Sequence, residues 1–417
     1  MDRSGPRDRR RAHRTRTPGG GLRMTDVSRL DLYAAEFNAD PYPTLDRLRE
    51  ETPARPVDTP AGRLWLVTRR ADVRQLLADP RLSKSVNVDL GYYPLPPLQR
   101  RSGFHMLNAD PPEHTRLRRL VAKAFTNGRV EKLRPHIRAI VEELVRPMVD
   151  RGHADLIADL AFPLPITVIS ELVGVPPADR YAFGDWTGAM IAPRSPEHAL
   201  AGREQMTDYL VALIAEKRRH PADDLFSDLV AVQDEDDDRL TDPELVSMAF
   251  LLLLAGFETT VNLIGNGTYL LLTHPDVYAR LRADRGLIPA AVEEFLRLES
   301  PLSGGTPRVT TEPVDVGGVT IPAGEVVYTS IASANRDPDQ YVDPDRLDLD
   351  RADGSHLAFG HGIHFCIGAP LARAEGQIAF DTVLAMLPEL RLAVPPDALV
   401  WRGGILMRGL VDLPVRW

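Results

Sequence analysis

Phe359-Gly360-His361-Gly362-Ile363-His364-Phe365-Cys366-Ile367-Gly368 contains the only cysteine in a chain of 417 residues. A single cysteine cannot close an internal disulfide, so its surroundings must show whether it is a packing residue or a ligand. Gly362 and Gly368 bracket a tight turn. The helix pattern that starts near Cys366 would aim backbone N–H groups at the sulfur, an arrangement that stabilises a thiolate. Three alternatives stand at this point. One is a buried structural cysteine. A second is a zinc site built from His361, His364 and Cys366, a weak signature because the three ligands fall within one short loop and no second cysteine is present. The third is a thiolate that holds a metal cofactor.

The chain is long enough for two to three domains at about 150 residues each. Apolar residues at 43% and charged residues at 26% are globular values, so a compact fold is expected. The net charge is −9, yet eight arginines against Asp2 and Asp8 leave +6 on the first 23 residues and −15 on the rest. An acidic body argues against nucleic-acid binding. Residues 1–24 read as a disordered basic tail, upstream of an alternative start at Met24. A transit or partner-binding segment is the other reading. The tail lacks the apolar stretch of a secretory signal. The longest apolar run, Val246 to Phe257, ends at Glu258, short of the roughly 20 residues that span a bilayer. A cytoplasmic, reduced location without membrane contact is expected.

Most of the chain has helical periodicity: Tyr42–Glu51, Arg70–Ala78, Pro112–Phe125, Val130–Asp150, His198–Arg219, Thr241–Leu272, Ala290–Glu299 and Pro370–Leu387. Strand patterns are few: Leu64–Val67, Val314–Ile321 and Val326–Thr329, the last two flanking Pro322-Ala323-Gly324 as a hairpin-like turn. The fold class is mainly α with a small β region. Asp234-Glu235-Asp236-Asp237-Asp238 reads as a solvated loop. It is followed by Thr241-Asp242-Pro243-Glu244, a capping box for a helix of about 32 residues and roughly 48 Å.

Inside that helix lies Ala255-Gly256-Phe257-Glu258-Thr259-Thr260, where a glycine, an acid and two hydroxyls interrupt an apolar run. Gly256 costs about 1 kcal/mol against alanine. That placement makes sense if the turn widens toward a ligand, or if another helix packs closely there. Thr259 can bond back to the carbonyl of Ala255. Glu294 and Arg297 share a helix face, which alone suggests a surface pair of little worth. In His114-Thr115-Arg116-Leu117-Arg118-Arg119, His114 and Arg118 lie about 40° apart on one face. Arg116, Arg119 and Lys123 gather on the opposite one.

These segments together resemble the cytochrome P450 haem-thiolate monooxygenases, from about Thr25 to Trp417. The loop Phe359 to Gly368 is similar to the family's haem-binding signature, Ala255 to Thr260 to its oxygen-activating motif, and Glu294-x-x-Arg297 to its buried Glu-Arg motif. The resemblance implies a single catalytic domain over residues 25–417, shaped as a triangular helical prism. Haem b would be buried between the long helix and the helix after Cys366. Cys366 would be the axial ligand of the iron, favouring O–O cleavage. His114, Arg118, Arg308 and His364 would hold the propionates, with Phe359, Gly360 and Ala255 also against the haem. Glu258 and Thr259 match the acid–alcohol pair that passes protons to bound oxygen, which implies a competent monooxygenase and not a rearrangement enzyme. Arg346 would join Glu294 and Arg297 in a structural triad. Leu347 stands where the family usually has phenylalanine.

The absence of an anchor or fused electron-transfer motif resembles the soluble bacterial class, a monomer fed from NAD(P)H by ferredoxin reductase and ferredoxin. Arg116, Arg119 and Lys123 are the candidate docking patch for that partner. Similarity of Thr260 to Gly267 and of Gly404 to Leu410 is greatest to the branch that hydroxylates or epoxidises macrolides and other polyketides in secondary-metabolite and antibiotic biosynthesis. The Val86–Phe104 loop, Leu251, Leu254, Ala255, Gly304, Thr306, Ile405 and Leu406 should line an apolar pocket for a bulky lipophilic small molecule. Terpenoids, peptides and fatty acids are alternative substrates. A haem-binding sensor or redox carrier is the alternative function, but it needs no acid–alcohol pair.

Overall fold

The capping box fixes where the longest helix begins. In the computed structural model, which describes residues 30–60, 62–85, 104–191, 195–235 and 240–417, this helix runs Asp242–Thr273, 32 residues. The Thr241 backbone N–H donates to the Glu244 carboxylate at 2.8 Å, and the Glu244 N–H donates to the Thr241 hydroxyl at 3.4 Å. Pro243 sits in the first turn, where its missing N–H costs nothing. Beyond that turn the helix is mostly apolar and largely buried, as a core helix is expected to be. By length and composition it could cross a membrane, yet 78% of its most apolar window lies inside the protein.

The helix continues unbroken through Gly256. A Cβ there would come within 2.8 Å of Ile169 Cγ1, so the glycine admits the helix Pro163–Val173. The widened turn is therefore corrected to a close helix–helix contact. Helices Pro196–Arg219 and Ala369–Met386 also pack on the long helix, and Asn127–Arg151 packs along Ala369–Met386. One large core cluster joins these elements, and a second lies between the long helix, the helix Ile288–Leu298 and Leu347–Ala358. Leu347 is buried within that second cluster.

Among the described residues, ten short strands make three sheets. Strands β1 (Ala54–Thr59), β2 (Gly62–Val67) and β3 (Leu82–Ser83) precede β4 (His153–Asp155) and β5 (Arg308–Thr310). Then come β6 (Val314–Val316), β7 (Val319–Ile321), β8 (Val326–Thr329), β9 (Arg391–Leu392) and β10 (Pro414–Arg416). The main sheet has the order β1-β2-β8-β5-β3, with β2 and β8 parallel. The expected strand Val314–Ile321 is in fact two strands. Gly317 and Gly318 have φ of +57° and +87°, the left-handed values a two-residue hairpin turn requires, so β6 folds back on β7. β8 instead pairs with β2 and β5, which corrects the hairpin expected around Pro322-Ala323-Gly324. The basic tail 1–24, residues 86–103 and most of the acidic run lie outside the described residues.

Candidate active site

The Cys366 loop is held from both sides. Gly360 and Gly362 have φ of +74° and +75°, and a Cβ on Gly362 would meet the Leu77 carbonyl at 2.8 Å. The turn thus lies against the end of helix Arg70–Ala78. The Cys366 N–H donates to the Phe359 carbonyl at 2.9 Å. Helix Ala369–Met386 begins just beyond, and the N–H groups of Gly368 and Ala369 act on the sulfur. Cys366 is open to solvent, yet protein surrounds it closely enough for burial to push its thiol pKa up. It therefore lies on the floor of a deep cleft. The Gly368 N–H and the charges of Arg118 and Arg373 oppose that upward shift. A cation at the sulfur would complete the conversion to thiolate.

Beside this floor, helix Glu113–Ala122 presents His114 and Arg118 on one face, as its periodicity predicts. Arg118 donates to the Phe365 carbonyl at 2.7 Å. The His114 and His364 rings meet edge to face, 4.4 Å apart. Arg308, on β5, donates to the carbonyls of Leu77 at 2.7 Å and Leu76 at 3.3 Å. Sequence reasoning missed a further member, Lys84. The β3–β5 register, Ser83 opposite Val309, extends to place Lys84 opposite Arg308. The Lys84 ammonium is fully buried and donates to the Thr306 carbonyl at 3.0 Å and to the Thr306 hydroxyl.

These cations repel one another. Burial, then the charge of Arg308, hold Lys84 well below its ordinary pKa. Burial holds Arg308 down to about 10, and burial with the charges of Lys84, Arg308 and His114 takes His364 down to about 2. Among the described residues, Asp110 is the one carboxylate whose charge reaches Lys84, His114, Arg308 and His364. It is already engaged by the Ser83 hydroxyl and by the N–H groups of Lys84 and Ser85. Both ring nitrogens of His114 and Nε of Arg308 lack a partner. Buried donors left unpaired are costly, and two carboxylates would satisfy this set. The residues therefore fit a haem, with its sulfur ligand at Cys366 and its propionates at this cluster.

Phe359 lies under the Arg373 guanidinium, 4.5 Å from the ring centre. Arg373 in turn forms two 2.7 Å bonds to Glu293, which also meets His356 at 3.1 Å. Burial raises the Glu293 pKa, but Arg373 and His356 bring it down to about 2. Next to Glu293, Glu294 accepts bonds of 2.7 and 2.8 Å from Arg297. The third side chain of this triad is Arg351, whose Nε donates to Glu294 at 2.9 Å. That corrects Arg346. Its side chain is exposed, and only its backbone carbonyl takes part, accepting from Arg297 and Arg351.

In the buried long helix, Ala255 is exposed and Thr259, one turn on, is partly so. The Thr259 hydroxyl donates to the Ala255 carbonyl at 3.1 Å, as expected. Leu254 is also partly open, whereas Leu251 is buried in the main core. Glu258 is buried and paired with Arg402. Gly304 is packed under the Tyr328 ring, and the Tyr328 hydroxyl donates to the Ile405 carbonyl. Ile405 packs with Leu32 and Leu66, and the Leu406 carbonyl accepts from Ser303 at 2.9 Å. Phe104 packs on the main core. In the expected docking patch, Arg119 and Lys123 are exposed. Arg116 is instead paired with Glu113 and with the capping residue Glu244, so its charge is largely spent within the fold.

Comparison with known proteins agrees with this geometry. The cytochrome P450 family profile matches residues 194–397. The chain is 50% identical over 405 residues to the cytochrome P450 monooxygenase PikC of Streptomyces venezuelae, covering 96% of this chain and 97% of that protein. It is 40% identical over 397 residues to the polyketide biosynthesis cytochrome P450 PksS of Bacillus subtilis, covering 92% and 97%. The structure of the tirandamycin C-bound P450 monooxygenase TamI superposes with a TM-score of 0.87 at 46% identity, covering 93% of this chain and 99% of that one. The chain belongs to the cytochrome P450 family. It has that family's fold and is a monooxygenase.

Proposed function

We propose that this monooxygenase hydroxylates or epoxidises a bulky lipophilic secondary metabolite of polyketide or macrolide type. Residues 25–417 would form one cytoplasmic catalytic domain supplied from NAD(P)H through ferredoxin reductase and ferredoxin. Cys366 would hold the iron of haem b, and His114, Arg118, Arg308 and His364, with Lys84, would hold its carboxylates. Bound there, the haem supplies the binding and reductive activation of dioxygen. The balance is substrate C–H plus O2, two electrons and two protons, giving C–OH and water; epoxidation puts the same oxygen atom across a C=C bond.

The chain's own residues supply shape and protons. Thr259, held by its bond to the Ala255 carbonyl, presents a hydroxyl on the open side of the long helix. Glu258, its neighbour, is the acid that recharges it, and both must lie within hydrogen-bond or one-water reach of the transferred proton. Apolar Leu254 and Ala255 leave few polar anchors beside them, which suits a large lipophilic ligand. The names of PksS and of tirandamycin-bound TamI support the polyketide class.

The observation that carries this reading is the cleft-floor Cys366 beside a cluster of cations short of carboxylates. The reduced carbon monoxide complex tests it. The expected Soret band has the red shift of thiolate ligation, and Cys366→Ser should abolish that shift. An unshifted band in the parent protein would overturn the assignment. Type I spectral shifts across macrolides, terpenoids and fatty acids then identify the substrate class.

A further inference from the structure

Glu258 and Thr259 are adjacent on the long helix and so point about 100° apart. Thr259 opens to the cleft, whereas Glu258 lies on a stripe with Asn262, Asn266 and Tyr269 that faces the C-terminal hairpin Trp401–Leu410. Trp401 and Leu410 bridge the base of that hairpin, and the Arg402 N–H donates to the Gly409 carbonyl at 2.9 Å. A Cβ on Gly409 would collide with the Asn262 amide, the Asn266 amide donates to the Arg408 carbonyl at 3.0 Å, and the Trp401 ring meets Tyr269 edge-on at 5.4 Å. The hairpin is therefore seated on this stripe, with Arg402 against Glu258.

The Arg402 guanidinium donates to a Glu258 carboxylate oxygen. Burial pushes the Glu258 carboxyl pKa up, and among the described residues Arg402 is the one titratable group that opposes that rise. The two partners differ in access to water: the Glu258 side chain is 6% exposed and that of Arg402 is 28% exposed. Of the two partners, Arg402 is the one open to water. The hairpin tip also reaches the strap beside the candidate pocket, where the Leu406 and Ile405 carbonyls accept from Ser303 and Tyr328.

We propose that Arg402 is the positioning residue of the proton path, holding the Glu258 carboxylate ionised and turned toward the hairpin until a proton arrives past its guanidinium. A buried carboxylate stripped of its cation favours the neutral acid. With Arg402 in place Glu258 stays ionised; when the guanidinium swings toward water, Glu258 can accept a proton and turn toward Thr259. Anchoring at the hairpin tip ties that swing to the pocket strap. This inference rests on Glu258 serving the acid–alcohol pair.

Two readouts on the haem-loaded enzyme test it. The first is the infrared band of protonated carboxyl groups at pH 7, with Glu258→Gln identifying the contribution of Glu258. The parent enzyme should lack that band, Arg402→Gln should show it, and Arg402→Lys should match the parent. If Arg402→Gln gives the parent spectrum, Arg402 does not set the state of Glu258 and the proposal fails, whatever Glu258 does. The second readout is hydrogen peroxide released per NADPH oxidised, with the ligand of largest type I shift bound. Arg402→Gln should raise peroxide and cut coupled turnover roughly tenfold, less than the about 10²–10⁴-fold that the proton-transferring group itself contributes. Arg402→Lys should recover most of the coupling. The double variant with Glu258→Gln should be no worse than Glu258→Gln alone. Normal coupling in Glu258→Gln would sink the acid–alcohol assignment itself; normal coupling in Arg402→Gln alone would reduce the ion pair to packing.

Discussion

Arg351 and Arg346 lie five residues apart with opposite fates. The Arg351 side chain is 8% exposed and bonds Glu294, whereas Arg346 reaches solvent. Without Arg351, Glu294 keeps Arg297 but loses a buried hydrogen bond from a charged donor, so Arg351→Met should cost about 1.5–3 kcal/mol. Arg346→Met should stay within about 0.5 kcal/mol, as surface changes do. Denaturant midpoints of the two variants check the assignment. His105 offers a second test at this scale. Burial, with the nearby charges of Arg203 and Lys84, holds it down to about 4 from 6.5. Between those values the unfolded chain binds a proton that the fold refuses. Stability should therefore fall as pH drops from about 6.5 to 4, by on the order of 3 kcal/mol for this one residue. Acid unfolding of His105→Gln should show a shallower slope over that window.

Among the elements, long helices were legible because their apolar residues repeat at helical spacing, and the 32-residue helix was announced by its capping box. Strands of two or three residues carry too few positions for alternation to register, so β3, β4, β5, β9 and β10 were missed. The site was legible where its motifs are local. His114 with Arg118, and Glu294 with Arg297, fall one turn apart on single helices. Lys84 and Arg351 left no such trace, because their roles arise from pairing across the sheet or across 57 residues of chain. A lone lysine beside a two-residue strand looks like any surface lysine. The cap itself is testable: Thr241→Ala should cost about 1 kcal/mol. Because Glu244 also holds Arg116, the variant should loosen the start of helix Glu113–Ala122 as well, visible as faster hydrogen exchange there.

At the scale of the molecule, the body is acidic, and Arg119 and Lys123 are exposed on the same segment as Arg118, which bonds the Cys366 loop. We propose these two as the docking patch for an acidic electron donor, Arg116 being engaged by Glu113 and Glu244. Arg119→Glu with Lys123→Glu should slow reduction by ferredoxin several-fold at low salt and flatten its salt dependence. Stopped-flow reduction at two ionic strengths checks this, and an unchanged rate would remove the patch from consideration.

The three-stranded sheet has a consequence for how the molecule is made. Strand β4 pairs with β10, at the very end of the chain, and the Leu413 N–H reaches back 258 residues to Asp155. At about 5–20 residues per second, a ribosome completes β4 roughly 13–50 s before its partner exists. Only three residues of strand edge wait through that interval, too short a template for a neighbouring nascent chain to capture. A premature stop a few codons early would leave that wait permanent.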